Sequence, residues 1–131
     1  MILKDELLKN NYSIIASNGY YSFDAGILPV LSKVNEDKDF FKDLSVADRV
    51  IGKASASLLA YSGVKQVYAL VLSKAGQEVL EKYHIEYQYD ELVDYIVNRK
   101  GDGMCPMEMT VKDIDDLEQA FIALKNKVAL P

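Results

Sequence analysis

Cysteine, histidine and proline are scarce in this sequence, whose 131 residues include one Cys, one His and three Pro. A single cysteine excludes an internal disulfide framework and is typical of a reducing compartment. One Cys and one His without close spacing cannot form a structural zinc site. Because the interior has almost no proline and no repeat or low-complexity segment, we see no linker and expect a single domain over residues 1–131.

Long apolar runs and basic clusters are missing as well. No stretch approaches about 18 unbroken apolar residues, and the acidic start around Asp5 and Glu6 lacks the apolar segment of a secretory signal. The formal net charge is −5, and the lysines and arginines are interleaved with acids, which disfavours a nucleic-acid backbone as partner. We therefore expect a cytoplasmic protein whose partner is a small molecule, with no nucleic acid and no membrane involved.

What is present is an alternation of strand and helix patterns. Asn18-Gly19 lies between residues 12–16 and 20–24, two strand-like segments, and predicts a type I′ hairpin turn. Residues 67–72 form a continuous apolar run, typical of a central parallel strand that is covered on both faces. This order of elements predicts an α/β sandwich with a mixed sheet. The other predicted elements are helices over 5–9, 27–34, 46–61 (ended by Gly63), 74–83 (capped by Ser73) and 91–98, a strand over 85–89, and a last helix that follows a capping box at 110–113 and ends near 125.

Two phosphate-binding motifs are incomplete. A P-loop requires a glycine where this sequence has Ala47, and a serine or threonine where it has Ala54. A dinucleotide-binding turn that begins at Gly101 would require a glycine where the sequence has Pro106. We therefore expect no nucleotide cofactor.

Residues 98–109 contain two glycines, the only cysteine and a proline, which predicts a binding or catalytic loop. Cys105 fits the N-cap and Pro106 the first position of a helix, so that backbone N–H groups and the helix dipole would favour the thiolate. Three interpretations stay open: Cys105 is a small buried residue in a short strand, a ligand contact, or a nucleophile with Glu108 or Asp48 handling protons.

Arg99 lies beside the turn that contains Gly101 and Gly103. A cation in this position either compensates the dipole of a preceding helix or acts as a bidentate clamp for an anion. These three residues are candidate ligand-binding residues.

A second candidate site lies near the start of the predicted 46–61 helix, where Asp48, Arg49, Gly52, Lys53 and Ser55 cluster. The absence of a side chain at Gly52 leaves a low surface that a ligand or another backbone could approach. Close packing of a helix on a sheet, with a solvated helix end, is the structural alternative. Since helix N-termini gather at the carboxyl ends of parallel strands, we expect Asp48 or Lys53 and residues 101–108 to line one shared cleft, in one chain or across a homodimer interface.

In combination, these segments resemble a known family. The resemblance rests on Ala47-Asp48-Arg49-Val50-Ile51-Gly52-Lys53-Ala54-Ser55-Ala56, the strand over 67–72, Asn98-Arg99-Lys100-Gly101 and Cys105-Pro106-Met107-Glu108. The chain looks like a small prokaryotic family of unknown function within the cytidine deaminase-like superfamily. That resemblance implies a three-layer α/β/α sandwich around a mixed five-stranded sheet, with a ligand pocket at the N-termini of two central helices.

The resemblance also implies that the zinc site is lost. Zinc deaminases of that superfamily carry His/Cys-x-Glu at the first central helix and Pro-Cys-x-x-Cys at the second. Near those places this sequence has Asp48-Arg49-Val50 and Ser73-Lys74-Ala75-Gly76, which provide neither thiolate and imidazole ligands nor the proton-shuttling Glu. We expect no bound metal and a pocket that binds a small anionic or nucleotide-like ligand, with Asp48, Gly52, Lys53 and Ser73 among its lining. The alternative is a metal-independent enzyme that uses Cys105 as its nucleophile.

Overall fold

Five strands and six helices alternate along residues 2–130, the part of the chain that the computed structural model describes. In chain order they are α1 (Ile2–Lys9), β1 (Ile14–Ala16), β2 (Tyr21–Ser22), α2 (Leu28–Glu36), β3 (Ser45–Ile51), α3 (Lys53–Ser62), β4 (Gln66–Ser73), α4 (Lys74–Lys82), β5 (Glu86–Val93), α5 (Pro106–Val111) and α6 (Leu117–Lys127).

The strands form one mixed sheet in the order β2-β1-β3-β4-β5. β1 is antiparallel to both β2 and β3, whereas β3, β4 and β5 run parallel to one another. Helices α3 and α4 are the crossovers between successive parallel strands, the connection that a parallel pair requires. The carboxyl ends of the three parallel strands therefore lie at the same edge of the sheet, and α3 begins there.

Helices cover the two faces of the sheet unequally. On one face α1 packs over a small buried cluster formed by Leu7, Ile15, Ala47 and Tyr68. The main core includes Ile14, Val46 and Leu72 of the sheet together with α2 and the helices that follow β3. Within it α3 contacts α2, α4, α5 and α6, so that most of its residues are buried. This is the α/β class that the alternation of elements predicted.

Several local predictions are confirmed. Gly63 ends α3 with a left-handed backbone of φ +88°, which glycine adopts without strain. The hydroxyl of Ser73 accepts a hydrogen bond from the Gly76 N–H at 3.0 Å and caps α4. Cys105 precedes α5, and Pro106 occupies its first turn. Gln66–Ser73 contains the whole predicted strand.

The helix predicted over 46–61 is wrong in its first half. Ser45–Ile51 is strand β3, and the helix begins only at Lys53, after Gly52. Residues 46–48 pair with β1 on one side, and the strand pairs with β4 on the other side through Ile51, so its backbone groups bond to strands that are distant in sequence. A short run of apolar residues has no periodicity that separates a buried strand from a buried helix. Asp48 and Arg49 therefore lie on a central strand.

The helix predicted over 91–98 is also wrong, because β5 continues through Val93 in register with Ser73 of β4. The predicted capping box at 110–113 lies elsewhere in the fold. Thr110 belongs to α5, and α6 is capped by Asp116, which accepts a hydrogen bond from the Gln119 N–H at 2.9 Å. The predicted hairpin is present, but only Gly19 of its turn has a positive φ, of +94°, so the turn is not type I′.

Candidate functional site

A cavity of about 250 Å³ opens at the carboxyl end of β3, beside the first turn of α3. Its wall comes from β1, the segment between β2 and α2, the β3–α3 junction and the segment that leads into α5. The lining residues are Ser13, Ile14, Ala25, Gly26, Ile27, Asp48, Arg49, Val50, Gly52, Ser55, Ile96, Cys105, Met107 and Glu108. We call this space the inner cavity.

A wider outer cleft of about 750 Å³ adjoins the inner cavity and shares Ala25, Gly26, Val50, Ile96, Cys105 and Met107 with it. Arg99, Lys100 and Asp102 line only the outer cleft, so two cationic side chains and one carboxylate surround its rim. The inner cavity, by contrast, has two carboxyl groups, those of Asp48 and Glu108, in a wall that is otherwise mainly apolar. The combined space thus has two carboxyl groups at depth and more cationic than anionic side chains at its mouth.

Asp48 lies at the centre of this arrangement. On β3 it pairs with Ile14 of β1 and Ala69 of β4, and it is 7% exposed. The backbone N–H of Val50 donates to its Oδ1 at 3.3 Å, a long hydrogen bond. Burial raises the pKa of this carboxyl from 3.8 to about 7, although the Val50 and Arg49 N–H groups and the charge of Arg49 act in the opposite direction. Asp48 therefore exchanges its proton near neutral pH, as a general acid or base must.

Arg49 does not pair with Asp48. Successive side chains of a strand point to opposite faces, and the Arg49 guanidinium lies over the end of α1. There it donates to the carbonyl of Tyr12 at 2.7 Å and to Oδ1 of Asn11 at 3.1 Å. Arg49 thus ties the end of α1 to the sheet, and among the described residues Asp48 forms no ion pair.

Glu108 caps α3 from another helix. The backbone N–H groups of Lys53 and Ala54 donate to its two carboxylate oxygens at 2.7 and 2.8 Å. Glu108 is 7% exposed, and burial raises its pKa, whereas the two N–H groups and the charge of Lys53 lower it. Gly52, the residue before α3, contributes no capping side chain, so a residue 55 positions away replaces the usual local cap.

Two glycines permit this packing. A Cβ atom built on Gly52 would lie 2.1 Å from Oε1 of Glu108, so the carboxylate would have to move. A Cβ atom on Gly76 would lie 3.0 Å from the backbone carbon of Gly52, so the start of α4 packs directly against the β3–α3 junction. Both glycines are required by close approach, since neither has a positive φ.

Cys105 lies where the inner cavity and the outer cleft meet, and its side chain is partly exposed. Its N–H donates to the Ile96 carbonyl at 2.8 Å, and Val97 bridges Met104, so the segment before α5 folds back on itself. With the described residues its thiol makes no capping hydrogen bond to α5. The thiol faces the same cavity as Asp48 and Glu108.

Other predicted site residues lie outside the cavity. The ammonium of Lys53 donates to the Lys112 carbonyl at 2.9 Å and to Asp115 at 3.3 Å, so only the backbone of Lys53 faces Glu108. Ser73 is fully buried as the cap of α4 and lines neither space. Gly101 has φ +76° in the exposed turn after Asn98, and neither it nor Gly103 lines the inner cavity or the outer cleft.

The structure thus brings Asp48, Gly52, Cys105 and Glu108 into one cavity, with Arg99 at its mouth. Residue-by-residue reasoning missed the wall that β1 and the segment before α2 provide, including Ser13 and Ile27. The hairpin prediction contained a usable signal, because the strand next to β3 must lie beside Asp48. Nothing in the sequence indicated which strand that would be.

Within residues 2–130 no group of three or more His, Cys, Asp or Glu side chains is placed to hold a metal ion. Among the helices of that same range, none is long and apolar enough to cross a bilayer.

These features define an α/β domain with a mixed five-stranded sheet and a cavity at the carboxyl end of its central strand. A family model described as TM1506, a domain of unknown function (DUF1893), matches residues 2–128, and the chain belongs to this family. The crystal structure of a DUF1893 family protein (TM1506) from Thermotoga maritima is similar, with 28% sequence identity and a TM-score of 0.87. The match covers 95% of this chain and 86% of that one. No curated protein matches the chain, and the family description names neither a ligand nor a reaction.

Proposed function

We propose that this protein binds a small anionic or nucleotide-like ligand in the inner cavity and breaks no bond in it. The observation that carries the proposal is Asp48, a buried carboxyl group in a mainly apolar wall with one long hydrogen bond from Val50. Keeping such a group in place is unfavourable for the fold, because buried polar groups normally have full sets of partners. A convergent polar group of this kind in a small apolar cavity is typical of ligand sites.

The lining suggests how the ligand would lie. Ile27, Ile96 and Met107 offer apolar surface to a flat or apolar part. Asp48 would accept a hydrogen bond from an N–H group when ionised, or donate one when protonated. Arg99, at the mouth, would meet an anionic group in a bidentate contact, because its guanidinium has two parallel donors. The basic residue predicted inside the site, Lys53, has no part in this arrangement, since its ammonium is bound to the α5–α6 connection.

A thermal-shift screen against nucleosides, nucleotides and phosphorylated metabolites tests this proposal, followed by calorimetry on any hit. We expect Asp48→Asn and Arg99→Ala each to weaken binding about tenfold or more, the effect of one lost charged hydrogen bond. Lys65→Ala, an exposed cation just before the amino end of β4 and so at the edge of the sheet opposite the cavity, is the matched control and should bind as wild type does. Binding that is unaffected by both cavity variants would contradict the proposed site.

Catalysis without metal is the second candidate, and one observation favours it. The Cys105 thiol lines the same cavity as two buried carboxyl groups, which could serve as proton acceptors. A catalytic thiolate should react with iodoacetamide well below pH 8, and its rate should fall in Asp48→Asn. A structural thiol would react only at higher pH and would not respond to Asp48. The second result would leave ligand binding as the function.

We also propose that the domain has the cytidine deaminase-like fold. A mixed five-stranded sheet with parallel β3, β4 and β5, and a cavity at the start of α3, agrees with what the cytidine deaminase-like resemblance implies. We propose that the cavity corresponds to the ligand pocket of that superfamily with its zinc ligands replaced. The cytoplasmic location and a homodimer remain predictions.

A further inference from the structure

The first turn of α3 is filled by a side chain of the protein itself. Three backbone N–H groups, those of Lys53, Ala54 and Ser55, precede the first intrahelical bond, which Ala56 donates to Gly52 at 2.9 Å. Glu108 accepts hydrogen bonds from the first two. We propose that this turn is a binding site for a small oxyanion, a carboxylate or a phosphate, and that Glu108 occupies it as an internal competitor. The inference rests on the proposed function only in placing a ligand in the inner cavity.

The geometry at Glu108 is that of a bound anion. Two oxygens of one planar group meet two adjacent N–H groups at the positive end of a ten-residue helix. Gly52 leaves the approach open, because any Cβ there would collide with the carboxylate. The charge of Lys53 also favours an anion here, since it lowers the pKa of Glu108. An external carboxylate or phosphate would meet the same donors.

Ser55 is an independent indication that a ligand completes this turn. The residue is 3% exposed and lines the inner cavity, and its hydroxyl has no hydrogen-bond partner among residues 2–130. No fully enclosed polar side-chain atom of the described residues lacks a partner, so this hydroxyl must reach the small exposed part of Ser55, which faces the cavity. A hydroxyl that faces a cavity without a protein partner is available to a ligand. An oxyanion on this turn would supply its missing acceptor.

Asp48 does not prevent an anion from entering. Burial raises the pKa of Asp48 to about 7, so that below this pH its carboxyl is mostly neutral and can donate a hydrogen bond. When an anion binds, both carboxyl groups of the cavity change their hydrogen bonding. Asp48 becomes a donor, and Glu108 leaves the helix for the solvent-connected part of the cavity.

Glu108→Ala tests the inference, with acetate and inorganic phosphate as separate probes at pH 6 and chloride at equal ionic strength as the control. We expect a fall in Tm of about 5 °C for the lost cap, at least half of which acetate or phosphate restores. The amide NMR signals of Lys53 and Ala54 should shift with either probe and stay unchanged with chloride. In wild type the same signals should shift only at much higher concentration, because Glu108 competes.

Two further variants make the result specific. In Gly52→Ala combined with Glu108→Ala, the new methyl group occupies the place of the carboxylate, so neither probe should bind. Glu118→Ala removes an exposed acid from the first turn of α6 and should leave the response of wild type unchanged. If Glu108→Ala fails to fold, Glu108→Gln replaces it. Its amide can accept from only one N–H group, so acetate should compete with it at lower concentration than with Glu108.

Absence of any acetate or phosphate effect on Lys53 and Ala54 in the folded Glu108 variant would overturn the inference. An effect of the same size in the Gly52→Ala double variant would overturn it as well. The outcome is separable from that of the metabolite screen. Acetate binding without any hit in the screen would support the anion site and contradict the proposed function. A hit in the screen that leaves the Lys53 and Ala54 signals unchanged would support the proposed function and contradict the anion site.

Discussion

At the scale of single residues, Asp48 lowers the stability of the fold that holds it. Its pKa is about 7 in the folded protein against 3.8 as the ordinary value, so the folded state holds the proton more tightly than the unfolded state does. The stability contributed by the neutral carboxyl is complete below about pH 4 and is lost as the pH rises through about 7, an effect of about 4 kcal/mol. A residue that weakens its own fold at neutral pH is best explained by a role in the cavity.

We predict that Asp48→Asn is more stable than wild type at pH 8 by about 2 kcal/mol, and that it is less stable than wild type by about the same amount near pH 4. The gain is smaller than the full effect of ionisation because the new amide N–H groups find no evident partner. Urea denaturation at several pH values measures it, and Asp113→Asn, an exposed acid, is the control. A difference in stability that does not change with pH would show that the pKa of Asp48 is the same in the folded and unfolded states.

At the scale of elements, α5 is held to α3 at two places. Glu108 caps the backbone of α3, and the Lys53 ammonium binds the Lys112 carbonyl just after α5 ends. Since Met107 and Glu108 of α5 line the inner cavity, these contacts set the shape of its wall. The cap depends on Gly52, because the carboxylate lies where a Cβ atom would be.

We predict that Gly52→Ala destabilises the protein by about 1–2 kcal/mol, the usual value of a lost helix cap, and has almost no effect in a Glu108→Ala background. The backbone of Gly52, with φ −107°, accepts alanine, so the effect arises only from displacing the Glu108 carboxylate. Thermal unfolding of the four proteins in this cycle measures it. Gly103→Ala is the matched control, since a Cβ there meets only an Asn98 nitrogen at 3.7 Å. Additive effects of the two substitutions would mean that the carboxylate does not cap α3 in solution.

At the scale of the whole molecule, the fold places few side chains that could coordinate a transition metal close to one another. The other metal-ligand side chains in the cavity of Cys105 are the carboxyl groups of Asp48 and Glu108, while His84 lies at the exposed end of α4, in the connection to β5. Zinc sites require thiolate or imidazole ligands in tetrahedral sets. We predict that protein purified without added zinc contains far less than one zinc per chain by metal analysis. Stoichiometric zinc together with cytidine-deaminating activity would refute both this prediction and the proposed loss of the metal site.

The sequence by itself determined the features that depend on neighbouring residues. Gly63 ends α3, Ser73 caps α4 and Pro106 begins α5, because each uses its own backbone or a group within three residues. The apolar run in β4 indicated a covered central strand for the same reason, since its composition alone requires burial on both faces.

Only the tertiary structure decided the contacts that form the site. Residues 46–51 became a strand because β1 and β4 flank them, and pairing with distant strands leaves no mark in a short apolar run. Asp48 therefore lies on the sheet and not on the predicted helix, and the Lys53 side chain points away from the cavity. Glu108 reaches α3 across 55 residues of chain, and its partners are backbone N–H groups, which every residue except proline possesses. A contact to so general a partner has no sequence signature, so only the packing of α5 against α3 selects it.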